Sequence, residues 1–181
     1  YNAFAFRDYY LKMSRDSYLE MIEKRYNGVE IGEYTTNNDK DLEKPMIETY
    51  DFTHTNMVER IGGKIYFSPM LYFAKVENPF KQEKREFPVD FPFPYQDKYT
   101  FSITIPDGYE IESLPKALSV VMEENLGSFK FNISSVGKTI QVMATIDVNS
   151  SHFSPNYYPT LKDFYKAMIE KQNEKVVLKK V

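Results

Sequence analysis

YTFSITIPDGYEIESL, residues 99–114, holds two alternating runs joined by a turn. Tyr99, Phe101, Ile103 and Ile105 take every second position, with Thr100, Ser102 and Thr104 between them. Successive side chains point to opposite faces of a strand, so the run reads as a strand with one buried and one wet face. Pro106-Asp107-Gly108 makes the turn, because proline presets φ and glycine accepts positive φ. Tyr109 to Leu114 resumes the strand, and Glu110 and Glu112 fall on its wet side rather than forming a catalytic carboxylate pair. The same pattern recurs on either side. Phe129, Phe131 and Ile133 are expected to pair with Ile140, Val142, Ala144 and Ile146 across a turn at Gly137. Val58–Ile61, Gly62-Gly63 and Lys64–Phe67 read as a hairpin with a two-residue turn. Met46, Glu48, Tyr50 and Phe52 alternate, and residues 29–36 read as a further strand.

The two ends of the chain change period. Phe6, Tyr9, Tyr10 and Met13 recur at helical spacing. Ser17-Tyr-Leu-Glu20 has the form of a capping box, and Leu19, Ile22 and Tyr26 follow on one face. Gly28 then serves as a C-terminal cap. Near the other end, Leu161, Phe164, Tyr165, Met168 and Ile169 form one apolar stripe. Val176, Val177 and Leu178 predict a closing strand. The order of helices, many strands, helix and strand predicts an α+β fold: an antiparallel β-sandwich with N-terminal helices and a C-terminal helix packed on it.

Composition narrows the function classes. The 181 residues are enough for one domain with a sizeable core, and 42% are hydrophobic. The 15 Tyr and 14 Phe suit a pleated surface. Net charge is −3, and no basic stripe of the kind nucleic-acid binders carry dominates, so no nucleic-acid partner is expected. The lysines at 162, 166, 171, 175, 179 and 180 read as the solvated face of a terminal helix and strand. There is no cysteine, which excludes disulfides, thiolate metal sites and a cysteine nucleophile within this chain. No apolar run approaches a membrane span. The chain begins at Tyr1 rather than Met, so any targeting signal is expected upstream.

The segment from Phe87 to Gln96 is the most unusual. Phe87, Val89, Phe91, Phe93 and Tyr95 alternate with Pro88, Asp90, Pro92, Pro94 and Gln96. Each proline holds its predecessor extended and removes one N–H, so the segment belongs at a sheet edge or in a crossing strap. Two readings compete for its aromatics. They are either core residues, with Phe91 and Phe93 buried, or a platform for a peptide or sugar ring built from Phe91, Phe93, Tyr95 and Tyr99. His54 and His152 read as surface or loop histidines, and no nucleophile-elbow pattern accompanies them. Asn37, Asp39, Asp41 and Glu48 match positions of a calcium loop, but Leu42 stands where that loop needs glycine, so residues 37–44 read as a polar loop. No cofactor and no metal are expected.

Five segments carry a family resemblance: KIYFSPML (64–71), NPFKQEKREFPVDFPFPYQDKY (78–99), ENLGSFKFNI (124–133), SPNYYPTLKDFY (154–165) and IEKQNEKVVLKK (169–180). Together they resemble the C-terminal domain of unknown function that follows a transglutaminase-like core in exported proteins of Gram-negative bacteria. The resemblance implies a parent with a papain-like Cys-His-Asp core upstream and a periplasmic or otherwise exported location. It implies residues 1–27 as a helical connector from that core and residues 28–181 as a β-sandwich-like accessory domain. The family's catalytic residues belong to the core, and none maps onto this chain. The implied role is a non-catalytic module that packs against or positions the core. A peptide- or glycan-binding module is the alternative.

Overall fold

The structure, a computed structural model, describes residues 2–181. The fold is α+β, with antiparallel sheets, short N-terminal helices and a C-terminal helix. The chain divides into two compact units, Tyr1–Met57 and Val58–Val181. The residue 27/28 boundary drawn from sequence falls inside the first unit, between its last helix and its first strand.

In the first unit, α1 (Asn2–Asp8) and α2 (Arg15–Arg25) accompany a hairpin of β1 (Val29–Asn37) and β2 (Ile47–His54). The helical run expected from Phe6 to Met13 is broken: α1 stops at Asp8 and a 3-10 turn covers Tyr10–Lys12. The cap of α2 also differs from the expected capping box. Ser14 is the cap, its Oγ accepting the Ser17 N–H at 3.2 Å, and Ser17 lies within the first turn. Phe6, Tyr18, Ile22 and Tyr34 form this unit's buried cluster. The hydroxyls of Tyr18 and Tyr34 both donate to Glu48 Oε1, at 2.8 and 2.9 Å. Loop 38–46 is held from inside. The Arg7 guanidinium donates to the carbonyls of Asn38, Asp39, Asp41 and Lys44. The loop carbonyls serve Arg7, and Glu48, one of the residues that matched a calcium loop, accepts from two tyrosines.

The second unit holds two four-stranded sheets. One runs β6 (Tyr95–Thr104), β10 (Thr139–Val148), β9 (Gly127–Val136), β8 (Leu118–Val121). The other runs β3 (Val58–Ile61), β4 (Lys64–Phe67), β12 (Val176–Lys180), β7 (Tyr109–Ser113). The pairing follows the sequence pattern: Phe129 faces Ile146, Phe131 faces Ala144 and Ile133 faces Val142. Tyr99, Phe101 and Ile103 face Ala144, Val142 and Ile140 from the other side of β10. The β3–β4 turn takes φ of 59° at Gly62 and 80° at Gly63, the two positive values that a tight hairpin turn requires. Glu110 and Glu112 pair with Lys179 and Lys64 on the wet face.

Helix α3 (Tyr158–Asn173) buries Leu161, Phe164, Tyr165 and Met168 in the cluster that also holds Phe129, Phe131, Phe67 and Leu178. One core therefore joins both sheets and the helix. Two lysines depart from the solvated face expected of the tail. Lys171 is 8% exposed and donates to Glu174 Oε1, while Lys162 donates to the carbonyls of Lys81 and Gln82.

Candidate functional site

The segment from Lys75 to Pro94 crosses the second unit as a strap with little regular structure, and α3 anchors it. Gln172, buried to 1% exposure, accepts the Lys75 N–H through Oε1 at 2.9 Å. Asn173 donates to the Lys75 carbonyl at 2.7 Å, and Asn78 donates to the Lys162 carbonyl at 2.9 Å. Phe80 inserts edge-on between Tyr158 and Tyr165, with ring centroids 5.9 and 4.9 Å away. The Lys162 ammonium and the Tyr158 hydroxyl both donate to the Gln82 carbonyl. A loop without secondary structure needs such partners, since an unpaired buried backbone group costs about as much as a lost hydrogen bond. Further on, β5 (Val89–Asp90) forms a short ribbon with β11 (His152–Phe153), and the Phe91 N–H donates to the Ser151 carbonyl. The segment pairs only there, between prolines that offer no N–H.

The aromatics of the strap do not share one environment. Val89 is buried, Phe91 and Tyr95 are half-buried, and Phe93 and Phe87 are exposed at 40% and 74%. The expectation that Phe91 and Phe93 are both core residues is corrected for Phe93. The short β5–β11 ribbon ends before it, and Pro92 and Pro94 flank it without N–H groups to continue the pairing. Phe91 lies edge-on to Phe153 and Tyr95. The Tyr95 hydroxyl lies 3.0 Å from that of Tyr165, and burial raises the pKa of both phenols. Tyr99 stacks with Phe101 at 10° between planes, and Phe73 leans on both. Of Phe91, Phe93, Tyr95 and Tyr99, Phe93 is the exposed one.

Two features went unread in the sequence. The first is Lys75, whose ammonium sits 5.4 Å from the centre of the Tyr165 ring. Burial pulls its pKa down, and Asp97 opposes that shift. The second is an open cleft of about 770 Å³ between the strap and the start of α3, lined by Lys84, Arg85, Glu86, Phe87 and Tyr158 among others. Among the described residues, neither Lys84 nor Arg85 has a salt-bridge partner.

The histidines lie in different units. His54 Nδ1 accepts the Asn56 N–H in the turn after β2. His152 Nδ1 lies 2.7 Å from Asp90 Oδ1, with both side chains more than half exposed. Among the described residues no group of three or more His, Asp or Glu side chains could hold a metal ion.

A family model for a domain of unknown function with a solved structure, DUF3858, matches residues 63–178. The chain belongs to this family. The matched span runs from the β3–β4 turn into β12, so the DUF3858 domain coincides with the second unit almost entirely. A crystal structure described as that of a putative protease from Parabacteroides distasonis shares the fold, with a TM-score of 0.53 and 18% identity. The match covers 65% of this chain and 23% of that one. No curated protein matches the sequence. Within the DUF3858 domain, the strap, the Lys75 cluster and the cleft all depend on α3, which joins them from more than 70 residues away. Sequence spacing gives no signal for contacts of that range. The nearest clue was the polar pair Gln172-Asn173 at the end of an otherwise apolar stripe.

Proposed function

We propose that the chain is a non-catalytic accessory module of a transglutaminase-like protein, and that it packs against or positions the catalytic core of the same polypeptide. The observation that carries this reading is the strap. Its backbone is pinned to α3, yet it presents Val76, Phe87 and Phe93 to solvent at 77%, 74% and 40% exposure. Apolar side chains left in water favour burial against another surface. Two facts support the reading. The chain has no cysteine, and thiol acyl transfer needs an activated thiolate beside a base. The same fold makes up 23% of a longer protein described as a putative protease. An upstream core and an exported location belong to the proposal and rest on the family resemblance.

The test has two arms. The gene upstream of this segment should encode a Cys-His-Asp core. The isolated chain should show no turnover of peptide or amine-acceptor substrates. Turnover that disappears in His152→Ala or His54→Ala would contradict the proposal, as would a gene with no such core.

The cleft favours a second reading, in which Lys84 and Arg85 hold an acidic peptide against the exposed Phe87. Saturable binding of a glutamate-rich peptide, lost in the Lys84→Ala/Arg85→Ala variant, would support it over docking to a core.

A further inference from the structure

The first unit contains a cavity of about 230 Å³ that no family match reaches. Its floor is aromatic: Phe6, Tyr10, Tyr18 and Tyr34 all line it. These rings are fixed. Phe6 and Tyr18 meet edge-on at 5.2 Å, and the Tyr18 and Tyr34 hydroxyls are held by one Glu48 oxygen. Two charged residues line the same cavity, Arg15 and Asp39. Both are set in place by built structure. Arg15 opens α2 directly after the Ser14 cap, and its guanidinium lies 5.7 Å from the centre of the Tyr34 ring. Asp39 sits on the loop that Arg7 ties down through four carbonyls.

The two charges are not spent on each other. No ion pair joins Arg15 to Asp39, and among the described residues neither has a salt-bridge partner. A cation and an anion that line one aromatic cavity without meeting complement a ligand that carries both signs. Arginine accommodates a carboxylate through two parallel N–H groups. A carboxylate and the faces of tyrosine rings accommodate an ammonium. The volume corresponds to roughly eight waters at about 30 Å³ each, below the range of drug-sized pockets. It has room for one small molecule.

We propose that this cavity binds a free α-amino acid with an apolar side chain, its carboxylate on Arg15, its ammonium on Asp39 and its side chain on the tyrosine and phenylalanine floor. The role is independent of the accessory function, since it uses none of the DUF3858 residues.

The test uses the full chain and three probes: L-phenylalanine, N-acetyl-L-phenylalanine and L-phenylalanine amide. Amide chemical shifts of residues 6–39 are followed by heteronuclear NMR as each is added. L-Phenylalanine should give saturable shifts confined to the cavity, and each blocked form should bind weaker by about tenfold or more. Arg15→Gln should erase the penalty for the amide but keep that for the acetyl form. Asp39→Asn should do the reverse. Both side chains lie outside the buried cluster, and unchanged thermal melts would show that the variants fold. No saturable shift with millimolar L-phenylalanine would overturn the proposal. So would equal binding of the three probes, or discrimination that survives both substitutions.

Discussion

Removal of residues 160–181 should unfold the DUF3858 domain rather than trim it. The segment carries most of α3 and the whole of β12. Six of its apolar side chains, Leu161, Phe164, Tyr165, Met168, Val176 and Leu178, are at most 3% exposed. At about 1.5–3 kcal/mol for each buried side chain, the loss is on the order of 9–18 kcal/mol. That is an upper bound, because unfolded chains already hide part of this surface. It still matches or exceeds the roughly 5–15 kcal/mol by which whole domains are stable. The topology adds to the loss. β12 lies between β4 and β7, so its removal leaves both without that partner. The strap loses its anchors at Gln172 and Asn173 as well. The truncated chain should be followed by thermal melting and amide exchange. Lys166→Ala, at an exposed position of α3, is the control and should shift stability by less than about 0.5 kcal/mol. A soluble truncation with a cooperative melt and protected amides in β9 and β10 would refute the reasoning, since it would show a core complete without the helix.

Point substitutions resolve the same core more finely. Phe131→Ala, at a fully buried position, should cost about 3–5 kcal/mol, whereas Phe93→Ala on the strap should cost less than about 1 kcal/mol, both read from denaturant midpoints. Gly127→Ala should destabilise by about 1–3 kcal/mol, because the added Cβ would lie 2.9 Å from the Asp147 carbonyl oxygen and 3.2 Å from Met122 Sδ; an unchanged midpoint would show that the strand yields freely. Asp147 accepts hydrogen bonds from Gln96 and Ser128 and ties β6 and β9 to β10, and these bonds, Gln96's first, lower its pKa. A depressed folded-state pKa means stability that is present above the ordinary aspartate value of 3.8 and is lost as pH falls through the lower folded value. Asp147→Asn should therefore be less stable than wild type at neutral pH, with the gap narrowing below that value; a gap independent of pH would count against the linkage.

The sheets were legible because their signal is local. Strict alternation at Tyr99–Ile105 and Phe129–Ile133, with Gly62-Gly63 and Gly137 between runs, encodes both face and register. The α3 stripe was legible for the same reason. The start of α2 was misread because Ser14 and Ser17 compete as caps. Ser14 takes the role and accepts the Ser17 N–H. Phe93 was misplaced by period-two reasoning. That reasoning holds only while a partner strand keeps the pleat, and β5 ends at Asp90. The sites were not legible. Lys75 meets Gln172 and Tyr165 only through the fold, and Arg7 reaches its loop across more than thirty positions. Arg15 and Asp39 look like ordinary surface charges until the fold brings both to the lining of one cavity.

Calorimetric titration tests the proposed docking of this module on a catalytic core through its strap. The separately expressed upstream segment is titrated with the wild-type chain and with the Phe87→Asp/Phe93→Asp variant. Both rings are exposed, so the variant should fold, and its melt should match wild type to within about 1 kcal/mol. The wild-type chain should associate saturably, and the variant should lose about tenfold or more in affinity. Association that is equal for both would contradict docking through the strap, and no association of the wild-type chain would contradict the accessory role itself.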